Sequence, residues 1–359
     1  MNIKRSLKIS LECGHTGKKE ALDGLWNEYR RALADFLNRL VARESLDEDF
    51  IKSYESLLSS RYQQCAKRQA MKLFKSWCRN PKKKNQPSWR NPSMTLDERF
   101  IEVQASGNSF DFWIKVATLD KGHPILIPAN RYAYLNTYLA DWELVSGGRL
   151  IRQQGPWFLM LTFEKQVSER KAGKVKSADI GYRKLAVTSD AEVMGEQLPE
   201  LIEKADRKQK YSRGYYKAKA EIKRYINHEL KKLFDHEVAT LVMEELKRLK
   251  DGKRGVWSRS VNRRFEFWIY GHALKRVKEL CEVAGVQRPL VPPAYTSQTC
   301  PLCGQAERLN RQGERFTCRQ CGFSHDADYV GALNILSRFT GEPIVPQMIK
   351  PQLECFSIN

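Results

Sequence analysis

Seven residues from position 179 onward have the types and spacing to do chemistry. Two Cys-x-x-Cys pairs, Cys300/Cys303 and Cys318/Cys321, are each followed by a glycine, Gly304 and Gly322. Thiolates at that spacing can both face one tetrahedral Zn²⁺, because the tight turn between them directs both sulfurs inward. Glycine after the second cysteine lets the backbone close around the metal without a Cβ clash. The fourteen residues between the pairs fall just under the usual interval, and RLNRQGER within them supplies a polar turn. This spacing predicts a structural zinc ribbon rather than buried or disulfide-bonded cysteines. His325, Asp326, Ala327 and Asp328 follow directly and lead into VGALNILSRF, whose apolar periodicity predicts a helix. Aspartate at such a start is ordinarily an N-cap, which suits Asp326 or Asp328. Two acids in three residues beside a zinc module direct attention to carboxylates further upstream.

Two stand out there. SADIGYRKLAVTSD at 177–190 reads as an apolar strand, Asp179, a glycine two residues on, and a second strand over Leu185–Thr188. Gly181 lets the chain turn back as a hairpin, which leaves the Asp179 carboxylate near the middle of a sheet. By itself an Asp before a turn is ordinary turn chemistry. HEVATLVMEELKRLK presents a short strand over Thr240–Met243 that ends on Glu244 and Glu245. A carboxylate at the end of a buried strand costs several kcal/mol to desolvate, so Glu244 needs a compensating cation.

The elements that must position these residues can be read in outline. Residues 2–12 alternate as a strand (Ile3, Leu7, Ile9, Leu11) and GHTG at 14–17 breaks them. From Lys18 to about Trp77 the pattern turns helical, with Leu22, Leu25, Tyr29, Leu33, Phe36, Leu37 and Leu40 at three- and four-residue steps; two to four helices fit. Residues 100–165 are β-rich, interrupted by a helical RYAYLNTYLADWELV, with Gly107, Gly122 and Gly147-Gly148 at the breaks. The amino-terminal strand is expected to join this sheet, making the helical segment an insertion in a β-barrel. Downstream, 203–226 reads as one basic helical stretch interleaved with tyrosines, 261–285 as another helix, and VQRPLVPPAYTS as an extended strand leading to the ribbon. The proline-bearing tail from 340 reads as peripheral.

Composition narrows the class. The chain has 359 residues, 42% hydrophobic and 29% charged, which is a globular balance able to bury a core in two to four domains. Its net charge of +20, from 62 basic and 42 acidic residues, calls for a polyanionic partner. No apolar run reaches the eighteen or so residues of a membrane span, and MNIKRSLKISLECG has no signal-peptide core, so a cytoplasmic protein is expected. Five further cysteines (Cys13, Cys65, Cys78, Cys281, Cys355) are scattered, as in a reduced compartment. Candidate phosphate contacts are Lys82, Lys83 and Lys84, with Trp89 as a stacking aromatic in a proline-rich loop. Lys208, Lys210 and Arg213 in the basic helical stretch, and Arg263 and Arg264 beside a Phe265/Phe267/Trp268 cluster, complete that set. For both basic segments the competing reading is a solvated surface.

Asp179, Glu244 and Asp328 thus lie on a first strand, a later strand and a terminal helix, an arrangement the ribonuclease H-like fold brings together. Clustered carboxylates stay ionised together only when divalent cations neutralise them. The sequence here resembles the transposon-encoded TnpB (OrfB) family, relatives of type V CRISPR effectors. The matching pieces are ADIGYRKLAVTS, LVMEELKRL, NRRFEFWIYG and YTSQTCPLCG…FTCRQCGFSHDADYVGALNI, in the family's order, over roughly residues 100–337. The third motif usually reads D-x-N-A-A-x-N-I; this chain has Val330 and Gly331 at the third and fourth positions.

The resemblance implies a multidomain α+β protein. Its RuvC-like, RNase H-like nuclease domain (173–293 and 325–340) carries an inserted zinc ribbon (294–324, binding target nucleic acid). A β-barrel wedge domain (1–15 and 97–172) holds a helical recognition insert (16–96), and a tail covers 341–359. It implies Asp179, Glu244 and Asp328 as the catalytic set on Mg²⁺, with Asp326 the less suited neighbour, and structural Zn²⁺ on the four cysteines. The implied partners are a guide RNA and target DNA, with no membrane. The implied activity is Mg²⁺-dependent, RNA-guided DNA cleavage. A compact type V CRISPR effector and a nuclease-silent RNA-guided repressor are the alternatives.

Overall fold

The computed structural model describes residues 1–80, 87, 93–106, 109–153, 155–246 and 270–350. They divide into two compact units, Asn2–Gln166 and a second that runs from Val167 onward and takes in Met1. Lys82, Lys83, Lys84, Trp89, Arg263 and Arg264 lie outside the described residues.

In the first unit, β1 (Asn2–Ser10) pairs antiparallel with β7 (Trp157–Gln166), Leu7 opposite Leu161 and Ile9 opposite Leu159. The sheet continues through β6 (Glu143–Arg152) to β2 (Met94–Leu96). The alternation of apolar residues in β1 thus does what its period demands and faces one core. Between β1 and β2 the chain forms three helices, α1 (Thr16–Val41), α2 (Glu48–Ser53) and α3 (Ser60–Cys78). Leu22, Leu25, Tyr29, Leu33, Phe36 and Leu37 of α1 are buried, and the Tyr29 hydroxyl donates to Gln69 Oε1 of α3 at 3.0 Å. Asp47 and Ser59 cap α2 and α3 through their side chains.

Three expectations about this unit need correction. The strands β3 (Ile101–Ala105), β4 (Phe112–Val116) and β5 (Ile125–Ala129) form their own three-stranded meander. Among the described residues there are therefore two sheets in this unit rather than one closed barrel. β2 is only three residues long and gives way to a turn at 98–100, so it is too short to carry the pairing onward. Gly147 and Gly148, expected at a break, lie inside β6 at a shift of register. Gly147 has φ +80°, and a Cβ there would meet Leu96 O at 2.7 Å. The glycines serve a bulge in the pairing of β6 with β7, where the backbone also passes close to β2, not a strand end. The helix α4 (Ala133–Leu139) precedes β6 and stops sooner than the apolar pattern suggested.

The second unit is built on a five-stranded sheet in the order β10-β9-β8-β11-β12. These strands are β8 (Lys174–Asp179), β9 (Ala186–Thr188), β10 (Val193–Met194), β11 (Val238–Glu244) and β12 (Leu290–Val291). β8 and β9 are an antiparallel hairpin, whereas β11 pairs parallel with β8 and with β12. One face is covered by α5 (Leu198–Asp206), α6 (Arg213–Glu229) and α7 (Tyr270–Ala284), which bury Leu198, Ile202, Ile222, Ile226 and Val277 against Ala178, Leu241 and Met243. The other face takes α8 (Ala327–Thr340), through Val242, Val291 and Ile335 and through Val187, Tyr329 and Leu333.

Between α7 and α8 the chain makes a small three-stranded sheet of β13 (Arg311–Gln312), β14 (Arg315–Thr317) and β15 (Ser324–Asp326). The single basic helix expected over 203–226 is two helices, parted by a turn in which Tyr211 has φ +66° and Ser212 caps α6. The extended strand expected over VQRPLVPPAYTS is two residues of β12, because prolines 292 and 293 cannot donate to a ladder. The segment after α8 is not peripheral. Ile344 is buried against Tyr329 and Leu333, and Lys350 N donates to the Tyr329 hydroxyl at 3.0 Å. No described helix is long and apolar enough to cross a membrane.

Candidate active site and cysteine cluster

Strand alternation explains how the acids meet. In β8 the Ser177 hydroxyl donates to Ala332 O of α8 at 2.6 Å, so residues 177 and 179 face that helix. In β11 Val242 packs with Ile335 of the same helix, so Glu244, two residues on, faces it too. Met243 lies opposite Ala178 in the parallel ladder, which sets Asp179 and Glu244 at the same end of neighbouring strands. Asp328 stands in the first turn of α8. All three expected acids therefore come to one face of one sheet, at the carboxyl end of its central strands.

Their electrostatics follow from that crowding. Burial, then the charges of Glu244 and Asp328, push the Asp179 carboxyl up to about 8, with the Arg311 guanidinium opposing them. Asp179 keeps part of its surface exposed. Burial also raises Glu244, against the pull of the Thr296 hydroxyl, Arg338 and Arg311. Thr296 donates its hydroxyl to Glu244 Oε1, and Arg311 of β13 donates to Asp328 Oδ1 at 2.6 Å. Among the described residues the compensating cation expected beside Glu244 makes no ion pair with it: Arg338 and Arg311 act on it through charge alone, and Arg311 grips Asp328. A Cβ at Gly331 would lie 2.8 Å from Asp179 Oδ2, so glycine at 331 lets α8 approach β8 here without displacing that carboxylate.

Asp326 settles the question of the cap. Its Oδ1 accepts from Asp328 N at 3.1 Å and from Tyr329 N at 3.0 Å, and its other oxygen accepts from Lys184 Nζ. Val330 is fully buried in the ribbon core with Cys300, Phe316, Cys318 and Ala327, on the side of α8 turned toward the ribbon. Asn334 holds the chain entering the ribbon, donating to Thr296 O at 2.7 Å and to Thr299 O at 2.8 Å.

The four cysteines gather as their spacing predicts. Cys300 Sγ lies 3.6 Å from Cys321 Sγ, and Cys303 Sγ lies 3.5 Å from Cys318 Sγ. Four sulfurs at about 2.3 Å from one tetrahedral ion stand roughly 3.8 Å apart, so the cluster could hold a metal with little adjustment. Among the described residues it is the group of metal-ligating side chains whose ligand atoms all lie within 4.8 Å; the three carboxylates are spread more widely. Burial pushes the Cys300 thiol up to about 12. Cys318 is held down to about 7: burial opposes this, but backbone amides and neighbouring thiols outweigh it.

Of the expected nucleic-acid contacts, Lys208 and Lys210 lie in the exposed turn between α5 and α6, and Arg213 begins α6. Tyr211 and Tyr216 beside them are exposed, whereas Tyr215 is buried and Tyr225 accepts from Gln197 N, so only part of the tyrosine pattern faces outward. Thr296, Arg311, Lys184 and Gly331 were not singled out from sequence. Arg311 sits in the segment that reads as a polar turn, and Gly331 is visible only as a departure from the third motif.

Known proteins resemble this chain. The family described as "Cas12f1-like, TNB domain" matches residues 270–335. InsQ of Escherichia coli (strain K12), named a "putative RNA-guided DNA endonuclease", is 30% identical over 218 residues, 51% of this chain and 54% of that protein. A TnpB-like protein of Aquifex aeolicus (strain VF5) is 37% identical over 97 residues, 26% of this chain and 31% of that protein. A "putative transposase" of Methanocaldococcus jannaschii is 34% identical over 87 residues, 22% of this chain and 80% of that protein. The chain therefore spans about half the length of the first relative and a third of the second. A cryo-EM structure of the Cas12f1–sgRNA–target DNA complex matches with a TM-score of 0.56 at 14% identity, over 89% of this chain and 81% of that one. At that identity the match speaks for the fold alone. Sequence relatives and fold agree, and the chain belongs to the TnpB-like family that is related to Cas12f1.

Proposed function

We propose that this chain is an RNA-guided DNA endonuclease of transposon origin, with Asp179, Glu244 and Asp328 as the catalytic set of an RNase H-like nuclease domain. The observation that carries the reading is the convergence of three acids, from two parallel strands and a facing helix, on one partly open face. Asp179 is pushed up to about 8 without added cations, which is the signature of a carboxylate cluster that favours positive charge. The fit to divalent ions is therefore good, and Mg²⁺ is the ion that suits an all-oxygen donor set at a phosphodiester. Bound there, such ions supply Lewis acidity at the scissile phosphate and neutralise its leaving oxygen.

The chain's own residues do the rest. Thr296 orients Glu244 through its hydroxyl, and Arg311 holds Asp328 in one rotamer while offsetting part of the cluster's charge. Gly331 leaves Asp179 room to lie against α8. The cysteine cluster is read as a structural Zn²⁺ site, since all four positions are filled by thiols and none is left open for a substrate. The partners are read as a guide RNA and a target DNA. The strands of the first unit and its helical insert are assigned to a wedge and a recognition element that grip the RNA. Burial of Val330 in the ribbon core speaks for an active enzyme, because the departure from the family motif is absorbed by packing away from the acids.

The test is to purify the protein with its bound RNA, sequence that RNA, and incubate the complex with a labelled DNA carrying the matching target. Mg²⁺-dependent cutting at the target is expected. Tight, guide-dependent binding that never yields cut product at any Mg²⁺ concentration sinks the nuclease reading and favours a repressor.

A further inference from the structure

Asp326 is more than a helix cap. Capping engages one of its oxygens; the other, on a side chain only 1% exposed, is turned to Lys184, which is itself 14% exposed. Burial would lower the Lys184 ammonium, yet the bond and charge of Asp326, then the charges of Asp328 and Glu314, hold it above its ordinary value. A buried ion pair of this kind is costly unless its geometry is complete. Here both oxygens are engaged, Oδ1 by two backbone amides and the other by Lys184.

The two partners belong to the two elements that deliver Asp179 and Asp328. Lys184 lies on the hairpin that leaves Asp179. Gly181 N donates to Leu185 O at 3.2 Å, and a Cβ on Gly181 would stand 2.8 Å from Lys184 O, so that hairpin is closed more tightly than any side chain at 181 permits. Asp326 is fixed to the amides of residues 328 and 329. Asp179, the closed hairpin, the ion pair and Asp328 therefore form one short circuit of stiff links. The neighbouring pair Arg183–Glu314, at 3.0 Å, joins the same hairpin to the turn between β13 and β14 but is 62% and 38% exposed, so solvent weakens it.

We infer that Lys184 and Asp326 are a positioning pair that sets the spacing between Asp179 and Asp328 and thereby the affinity of the acid cluster for divalent cations. The inference rests on the nuclease reading above for what the cations do, but not for whether they bind. Neither residue touches substrate; both act through the acids.

The experiment titrates Mn²⁺ onto the purified chain by electron paramagnetic resonance, with the cysteine cluster zinc-loaded, alongside thermal melting. The variants are Asp326→Asn, which keeps a good capping oxygen and removes the charge, Lys184→Met, the double variant, Lys184→Arg, and Arg183→Met as the exposed control. Each single neutralisation is expected to weaken Mn²⁺ binding about 10- to 100-fold, as loss of groups that orient metal ligands does. The double variant should be no worse than either single one, and Lys184→Arg should restore most of the affinity. Arg183→Met should match the wild type. Mn²⁺ affinity within twofold of wild type in Asp326→Asn and Lys184→Met overturns the pair's role, and so does a loss that merely tracks a lower melting temperature. Wild-type protein that binds no more Mn²⁺ than the Asp179→Ala/Glu244→Ala/Asp328→Ala triple variant overturns the nuclease reading, and this inference with it. Failure of the pair alone leaves wild-type binding intact, so the two failures are distinguishable.

Discussion

The cysteines and the carboxylates of the second unit reach their clusters by opposite routes. Each Cys-x-x-Cys pair is a single turn, and two such turns joined by a short sheet bring four sulfurs together, with only Ala327 and Val330 of α8 added to their core. The acids need a parallel ladder, a facing helix and close approach of that helix at a glycine. The first cluster is largely local; the second is a property of the whole unit. Yet they share a covalent boundary, since β15 of the ribbon runs directly into α8 at Asp326.

That contrast can be tested from its strongest consequence downward. If the acids act as one cluster, Asp179→Ala, Glu244→Ala and Asp328→Ala should each lower cleavage by several orders of magnitude, while guide-dependent DNA binding persists in a gel-shift assay. Any single variant that retains a tenth of wild-type cutting removes that residue from the set. Next in size, Cys318→Ser should empty the ribbon of its roughly one zinc per chain and cost several kcal/mol of ribbon stability, read by metal analysis and hydrogen exchange. Because α8 begins where the ribbon ends, the same variant should weaken divalent-ion binding at the acids, whereas acid variants should leave the zinc in place. Influence running equally in both directions would erase the distinction between the two regions.

A smaller effect concerns pH. Asp179 is raised to about 8, so its folded form holds a proton through a range where the unfolded chain has lost it. The metal-free protein should then lose stability as pH climbs from the ordinary carboxylate range toward 8, since the unfolded state binds fewer protons there. A bound cation must displace that proton, so Mn²⁺ affinity should rise by up to about tenfold per pH unit between about 6 and 8 and then level off. A flat profile would show that the acids do not compete with protons at all. The smallest effect is expected at the surface: neutralising Lys208, Lys210 and Arg213 together should flatten the salt dependence of RNA binding by about three units at most. No change would return that turn to a solvated one.

The same contrast explains what could be read in advance. The cysteines were legible because their ligand geometry is written in two-residue gaps. The periodic residues of α1 and the alternation in β1 were legible because burial repeats with the period of the element. Asp179, Glu244 and Asp328 stood out less by their own context than by matching motifs in order, since nothing local distinguishes an Asp before a turn from one that joins a cluster. Arg311 and Thr296 were hidden for the opposite reason, being ordinary turn residues whose partners lie far along the chain. The split of the basic stretch into two helices was missed because Ser212 caps a new helix inside an unbroken run of charge. Lys82, Lys83, Lys84, Trp89, Arg263 and Arg264 fall outside the described residues.

The order of strands also has a consequence in time. β8 is the middle of its sheet, but one of its two neighbours, β11, arrives only after α5 and α6 have been made, and the helix that covers its acidic face arrives after the ribbon. A chain emerging from the ribosome at roughly 5–20 residues per second therefore carries an incomplete acid cluster for several seconds after Asp179 has appeared. On the proposed function, the nascent chain of that interval, already rich in lysine and arginine, would hold RNA without being able to cut anything. Assembly order alone would then keep such an enzyme harmless until the strand ladder and its facing helix have closed.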